Sequence, residues 1–378
     1  MSRALRAAVI GTGIGEQHLA ALADEPGVEV VAVCARSDAS ARRLAERHGI
    51  AHAYSAYELL LAEQAPDVVV VATPNNLHSE MALAALEAGA HVICEKPLGL
   101  TFAEAVELAE RADLLERRHL AAFTWHFLPG ARHMKALLDD DAVGRVYQVQ
   151  ARYHVRGWGD PSGPMRWQYD AAAAGSGAVA NLGSHLIHLI DWWLGGFEAV
   201  CAQLTTAVPE RLGETGPVAV TVDDTCGLLG RLSSGVPVAL SLSSVAFGPR
   251  VSVEIGVYGS GGALLFSDDW NAPHAASGRI QRAGAGDEGW SDVPIPGAVP
   301  RPAEGLSPLR GCFAGMAAEL TAAIRERRAA SPGFHDGARV QAVLDATTTS
   351  AAEGRWVTTA DLRERPAPAH TRSEGATA

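Results

Sequence analysis

The chain has 378 residues, 48% apolar and 20% charged; at about 150 residues per domain this length suggests two domains, and the composition excludes a mainly disordered chain. Lys and Arg number 31 against 43 Asp and Glu, a net charge of −12, which argues against a nucleic-acid binder because such a protein needs a basic face for phosphates.

Short β-branched runs at residues 7–10, 28–33, 68–72 and 91–93 alternate with Ala/Leu/Glu-rich helical spacing at 17–23, 39–48, 57–63 and 79–88. A longer helix pattern runs from Thr101 to about Arg118, with Thr101 and Glu104 placed as a capping box. A further strand is expected at 120–124. Near-continuously apolar strands alternating with helices indicate a parallel sheet covered on both faces. The pattern changes near Trp125. A helix follows Pro129, and strands with period-two alternation follow at 146–152 and 251–257. Residues 224–232 and 236–244 flank Ser233-Ser234-Gly235 as a hairpin, and 184–194 reads as a helix. Residues 268–305, rich in Gly, Pro and Ser, read as a long loop. Helix patterns at 312–328 and 336–352 close the fold, and a Pro/Ala/Thr-rich tail starts at residue 365.

No stretch reaches the roughly 18 uninterrupted apolar residues of a membrane helix, and the N-terminal apolar run meets Gly11 without a cleavage-like end, against a signal peptide. The cysteines, Cys34, Cys94, Cys201, Cys226 and Cys312, are far apart and never in C-x-x-C spacing. They read as buried thiols in a reducing compartment, so a cytoplasmic protein is expected.

The strongest local feature is Gly11-Thr12-Gly13-Ile14-Gly15, following a strand and opening a helix. Such a loop lets backbone approach a pyrophosphate, which the helix N-terminus then stabilises. Its third glycine position holds Glu16. The second strand ends Cys34-Ala35-Arg36-Ser37, without the Asp or Glu that would bind a ribose. Arg36 and Ser37 could instead hold a 2′-phosphate, which favours NADP(H) over NAD(H); a solvated strand-end arginine is the alternative. Thr73-Pro74-Asn75-Asn76-Leu77-His78 and Glu95-Lys96-Pro97 both follow carboxyl ends of parallel strands, where doubly wound sheets bind ligands. Lys96 taken alone also reads as a surface lysine paired with Glu95.

The order of glycine loop, T-P-x-x-x-H, E-K-P, and a glycine-rich stretch, Gly175 to Gly183, leading to Ser184-His185 resembles the Gfo/Idh/MocA oxidoreductases over residues 7–356. The resemblance implies a Rossmann domain (1–124), a second α+β domain on a largely antiparallel open sheet (125–364), and a tail (365–378). It implies NADP(H) or NAD(H), held by Gly11, Gly13, Ile14, Gly15, Arg36, Ser37, Thr73, Pro74, Asn75, His78, Glu95, Lys96 and Trp167. It implies that Lys96 shuttles a proton to or from a substrate hydroxyl, that His185 acts at the same carbon, and that the Lys96–Pro97 bond is cis. The substrate would be a sugar, cyclitol or similar polyhydroxy compound, and the partner a second copy packed through the C-terminal sheet, as homodimer or homotetramer.

The chain departs from the family pattern at four polar positions. Asn181 stands where Asp is usual, and can orient a hydroxyl but cannot act as a base. His188, His126 and Gln168 are the other replacements. Trp125, His126, Asn181, His185 and His188 are therefore candidate substrate contacts, and Trp158 a candidate for stacking on a sugar. His185, His188 and Asp191 share i, i+3, i+6 spacing, which raises a metal reading, but the family resemblance explains His185 without one and no metal is expected. Asp223-Asp224 begins a strand and could reach the pocket, but reads first as a strand-end cap. An NAD-dependent glycoside hydrolase and a non-catalytic cofactor-sensing regulator are the alternative functions on this fold.

Overall fold

Val68 to Val71 form four consecutive buried valines, and their neighbours explain why. The computed structural model describes residues 3–156, 159–160, 162–246, 251–269, 277–297 and 309–364. Its first part is a strand–helix alternation: β1 (Leu5–Ile10), α1 (Gly15–Asp24), β2 (Val28–Cys34), α2 (Asp38–His48), β3 (His52–Tyr54), α3 (Tyr57–Gln64), β4 (Val68–Val71), α4 (His78–Glu87), β5 (His91–Cys94), α5 (Phe102–Leu114) and β6 (His119–Ala121). The six strands are all parallel, in the order β3-β2-β1-β4-β5-β6. β4 is central, with a helix layer on each face, so both sides of every valine leave water, worth about 1.5–3 kcal/mol per side chain. The order reverses between β1 and β4, and ligands of such sheets sit outside the carboxyl ends at that point.

The capping box is present: Thr101 Oγ1 accepts from the Glu104 N–H at 3.3 Å and Glu104 Oε2 accepts from the Thr101 N–H at 3.0 Å. The helix stops at Leu114, earlier than its periodicity suggests, because Glu116 takes a left-handed φ of 53° that turns the chain into β6. The short β3 carries too few residues to show a pattern of its own.

The second part comprises α6 (Pro129–Asp139), β7 (Val146–Val155), α7 (Ala171–Ala174), α8 (Ser184–Leu194), β8 (Phe197–Thr205), β9 (Glu210–Leu212), β10 (Pro217–Ala219), β11 (Thr225–Leu232), β12 (Pro237–Ser243), β13 (Val251–Gly259), β14 (Gly262–Asp269), β15 (Arg279–Ala283), β16 (Ser291–Val293), α9 (Arg310–Glu326), α10 (Phe334–Glu353) and β17 (Val357–Thr358). Nine strands form one sheet in the order β16-β15-β14-β13-β7-β12-β11-β8-β17, antiparallel except for β7 beside β12. Burial alternates along β11, with Cys226, Leu228, Gly230 and Leu232 inward and Gly227, Leu229 and Arg231 outward. The expected hairpin joins β11 to β12, with Gly235 at φ 83° supplying the left-handed turn residue.

One expectation is corrected. The region 268–305 is not one loop, because β15 and β16 extend the sheet from β14 within it; Gly and Ser mask strands whose stability comes from neighbours rather than from β-propensity. The last two helices also return to the first part: Arg310 Nη2 donates to Asp24 Oδ2 at 3.1 Å, and Asp345 Oδ2 accepts from the Phe102 N–H at 2.7 Å. Trp158 and the tail from residue 365 lie outside the described residues.

Candidate active site

A Cβ added at Gly11, which has φ 113°, would lie 2.0 Å from the Ala72 carbonyl oxygen. The turn after β1 therefore rests directly on the end of β4, and only glycine permits it. A Cβ at Gly13 would meet nothing within 4 Å, while one at Gly15 would sit 3.3 Å from Val9 Cγ1, where α1 packs on β1. No side chain caps α1 at Ile14. An open glycine beside an uncapped helix N-terminus fits a dinucleotide pyrophosphate. Glu16 does not obstruct it: its carboxylate accepts from Arg47 Nη1 and His48 Nε2, both at 2.8 Å, across to α2.

Ser37 caps α2, its Oγ accepting from the Ser40 N–H at 3.3 Å. Arg36 is exposed and its guanidinium makes no hydrogen bond or ion pair among the described residues. On the other side of the loop, His78 is buried and its two ring nitrogens lie 2.6 Å from the Pro97 carbonyl and 2.9 Å from the Thr73 carbonyl. It ties the segment after β4 to the segment after β5. Asn75 Nδ2 donates to the Ala174 carbonyl at 3.0 Å. The Lys96–Pro97 bond is cis.

Lys96 projects into a cavity of about 540 Å³ shared with Ile14, Thr73, Asn75, His78 and Glu95. Its Nζ donates to Asn181 at both the main-chain oxygen, 2.8 Å, and Oδ1, 3.1 Å. Burial lowers the Lys96 pKa from 10.5 to about 8, against the opposing pull of Glu95. Glu95 is itself buried, which alone would raise its pKa, but the hydrogen bond from His18 Nε2 at 2.9 Å and the nearby positive charges bring it below the ordinary value. The Lys96 main-chain N–H donates to Glu95 Oε2 at 3.2 Å, but among the described residues no carboxylate bonds its ammonium.

Asn181 sits on a wide π-helical turn, Val179–Gly183, just before α8. Asp223 pins that turn: its two carboxylate oxygens accept from the Gly177 N–H at 2.8 Å and the Val179 N–H at 2.9 Å. A Cβ at Gly177 would lie 1.8 Å from the Asp223 carbonyl oxygen, so the approach needs glycine. The expected strand-end cap is thus a clamp on the residues that hold Lys96. His185, in the first turn of α8, lines the same cavity near Trp125, with ring centroids 5.9 Å apart. Burial, then Lys96 and His188, hold it well below the ordinary imidazole range, so it is neutral. Its Nδ1 has no partner among the described residues.

Residues 5–123 match the oxidoreductase family GFO_IDH_MocA with its NAD-binding Rossmann fold, and residues 131–265 match the GFO/IDH/MocA C-terminal domain. The chain belongs to the Gfo/Idh/MocA family. It is 30% identical to levoglucosan dehydrogenase of Pseudarthrobacter phenanthrenivorans over 93% of this chain and 97% of that one. It is 29% identical to D-glucoside 3-dehydrogenase of Escherichia coli over 59% of this chain and 65% of the relative. A solved structure of levoglucosan dehydrogenase with NADH and levoglucosan superposes with a TM-score of 0.85 at 29% identity, covering 94% of this chain and 100% of that one. This Gfo/Idh/MocA protein is accordingly an oxidoreductase that uses a nicotinamide dinucleotide.

Trp125 and Trp167 also line the cavity. Two expected substrate contacts in this family member are placed elsewhere. His126 Nδ1 and His188 Nε2 are 3.1 Å apart, His188 stacks on Phe123 and His126 on Trp192, and neither lines the cavity. Three helical residues after His185, His188 lies about 4.5 Å further along the axis and about 60° around it. Asp191 pairs with Arg339 at 3.1 Å, and among the described residues no three His, Cys, Asp or Glu side chains are grouped to hold a metal. Thr124, Arg166, Gln168 and Leu182 line it as well, so of the four polar departures Asn181 and Gln168 reach the cavity; Tyr153 and Val155 from β7, and Leu309 and Phe313 beside and on α9, complete the lining. These last four belong to ordinary core patterns and have no motif, so only their placement reveals them.

Proposed function

We propose that this oxidoreductase interconverts a secondary alcohol and a ketone on an uncharged polyhydroxy compound such as a sugar, anhydrosugar or glycoside, with Lys96 carrying the proton. The observation that carries this reading is the Lys96 ammonium held by Asn181 beside neutral His185, in one cavity with the glycine-loop residue Ile14. When bound, the nicotinamide supplies or accepts the hydride. Gly11, Gly13, Ile14, Gly15, Thr73, Pro74, Asn75, His78 and Trp167 would hold the dinucleotide. In the oxidative direction, neutral Lys96 takes the hydroxyl proton; in the reductive direction, its ammonium returns one to the carbonyl oxygen. His185, neutral and lining the same cavity, orients the same hydroxyl. Asn181 positions Lys96 and contributes no charge. Glu95, the one acid lining the cavity among the described residues, is engaged by His18, so it is not free to recruit a cationic substrate. The relatives named above are dehydrogenases of sugar compounds, which favours neither the hydrolase nor the regulator. Lys96→Met should abolish turnover while dinucleotide binding persists; near-normal turnover would refute the assignment.

The finer preference is for NADP(H). Its support is Arg36, exposed just after β2 and unpaired among the described residues, with no acidic residue beside it until Asp38. Parallel fluorescence titrations with NADPH and NADH test it. Tighter NADPH binding that Arg36→Gln erases is the expected result, and an NADH preference would demote Arg36 to a solvated residue.

Residues 1–124 serve as the dinucleotide unit and 125–364 as the substrate and assembly unit. The outward face of the nine-stranded sheet carries Gln148, Gln150, Gly227, Leu229, Ala239 and Ser241, with Leu229 56% exposed. The same face carries the ion pairs Arg152–Glu254 and Arg231–Glu198, and small and amide side chains between self-neutralised charges suit packing against a second copy, as homodimer or within a homotetramer. Leu229→Arg should shift the sedimentation mass toward monomer. Five uncrosslinked thiols support a cytoplasmic location; no helix among the described residues is long and apolar enough to cross a membrane.

A further inference from the structure

We propose that a cleft at the opposite end of the parallel sheet from Lys96 binds a phosphate-bearing small molecule. The cleft encloses about 610 Å³ and lies where β5 begins at His91 and β6 begins at His119, closed on its far side by the C-terminal end of α9. Arg117, Arg118 and Arg327 all line it.

Several arginines of this chain meet carboxylates directly, as in Arg47 with Glu16, Arg231 with Glu198 and Arg328 with Glu319. With acids in excess by 12 charges, carboxylate partners are plentiful. Yet the Arg117 and Arg327 guanidinium groups make no hydrogen bond or ion pair among the described residues, and Arg117 Nε is buried without an acceptor. Arg118 Nη2 donates only to the Arg327 carbonyl, at 3.1 Å, which draws the β6 entry and the α9 end together.

The imidazoles add a donor. His91 Nδ1 accepts from the Arg118 N–H at 2.8 Å, so its proton is on Nε2. Burial, then Arg117 and Arg118, lower its pKa to about 4, so His91 stays neutral and adds no further positive charge. His119 Nδ1 accepts from the Phe334 N–H at 2.9 Å. Two acids also line the cleft. Asp113 is engaged by His335 at 2.7 Å and His119 at 3.5 Å, and Glu116 is exposed. Three guanidinium groups therefore share a space that holds one committed and one solvent-facing carboxylate.

Guanidinium forks match the oxygens of a phosphate, and their mutual repulsion is relieved by a multiply charged anion rather than by a neutral polyol. The volume exceeds a lone phosphate and suits a phosphorylated metabolite. This ligand class differs from that of the catalytic cavity, and the proposal does not depend on the reaction assigned to Lys96.

Calorimetric titration of the full-length protein, saturated with dinucleotide so that any phosphate subsite at Arg36 is filled, tests the site. The probes are inorganic pyrophosphate and fructose 1,6-bisphosphate, with glucose as a neutral control. Saturable binding of both anions is expected, weakened tenfold or more by Arg117→Gln and by Arg327→Gln and unchanged by Arg36→Gln. Arg327 is exposed, so its variant keeps the test open if Arg117→Gln fails to fold. No binding of either anion at millimolar concentration, binding that survives in Arg327→Gln at full strength, or loss of binding in Arg36→Gln would overturn the proposal.

Discussion

A carboxylate at position 181 would change the pH at which this enzyme works, and the structure sets the sign and size of the change. Burial brings Lys96 to about 8, so about half of it is neutral at pH 8, whereas an unperturbed lysine would be neutral in roughly one molecule in 300. In the oxidative direction only the neutral amine accepts the hydroxyl proton, so kcat/KM should rise with pH through the Lys96 titration and level above it. Asn181 Oδ1 lies 3.1 Å from Nζ. Asn181→Asp places a negative charge at that distance, which favours the ammonium and raises the pKa by about 1–3 units. At pH 8 the neutral fraction then falls by roughly fivefold to several-hundredfold. The assay is the initial rate of dinucleotide reduction from about pH 6 to 10 on the preferred polyol, for both proteins. An alkaline limb that moves upward in Asn181→Asp supports Lys96 as the base. A limb that stays in place or moves downward would refute the reasoning, because a carboxylate 3.1 Å from Nζ can only favour the Lys96 ammonium.

Glu95→Gln should move the same limb the opposite way, since Glu95 raises the Lys96 pKa; the pH profile of kcat/KM checks this. Gly11→Ala and Gly13→Ala should separate fold from binding: the first forces a contact of 2.0 Å with backbone and should prevent a soluble folded product, while the second meets nothing within 4 Å and should leave thermal stability nearly unchanged while weakening dinucleotide affinity in a fluorescence titration. Asp223→Asn should lower stability by about 2–4 kcal/mol, because one of two buried N–H groups on Gly177 and Val179 loses its acceptor to a facing amide. Denaturant unfolding measures that loss, and a parallel fall in kcat with dinucleotide affinity retained would locate the effect at the turn carrying Asn181.

The clamp by Asp223 shows how sequence and structure divide the information. Apolar strand runs, the glycine loop and the capping box at Thr101 are local: each depends on residues within a few positions, so spacing alone exposes them. Lys96, Asn181 and His185 are legible as candidates because they sit in motifs, and the structure brings those three into one cavity. His126 and His188 look equally suited by residue type, yet they stack on Trp192 and Phe123 away from it. Tyr153 and Phe313 carry only core periodicity but line the site. Periodicity reports which face of an element is buried, not what that face is buried against.

By itself the sequence determined the parallel first sheet, the alternating second one and the chemical groups available for a proton and a dinucleotide. Tertiary structure alone decided which of those groups meet, that β15 and β16 complete the sheet, and that Arg117, Arg118 and Arg327 converge without a carboxylate partner among the described residues. Those outcomes depend on contacts between residues far apart in the chain, as with Lys96 and Asn181, which spacing along the chain does not encode.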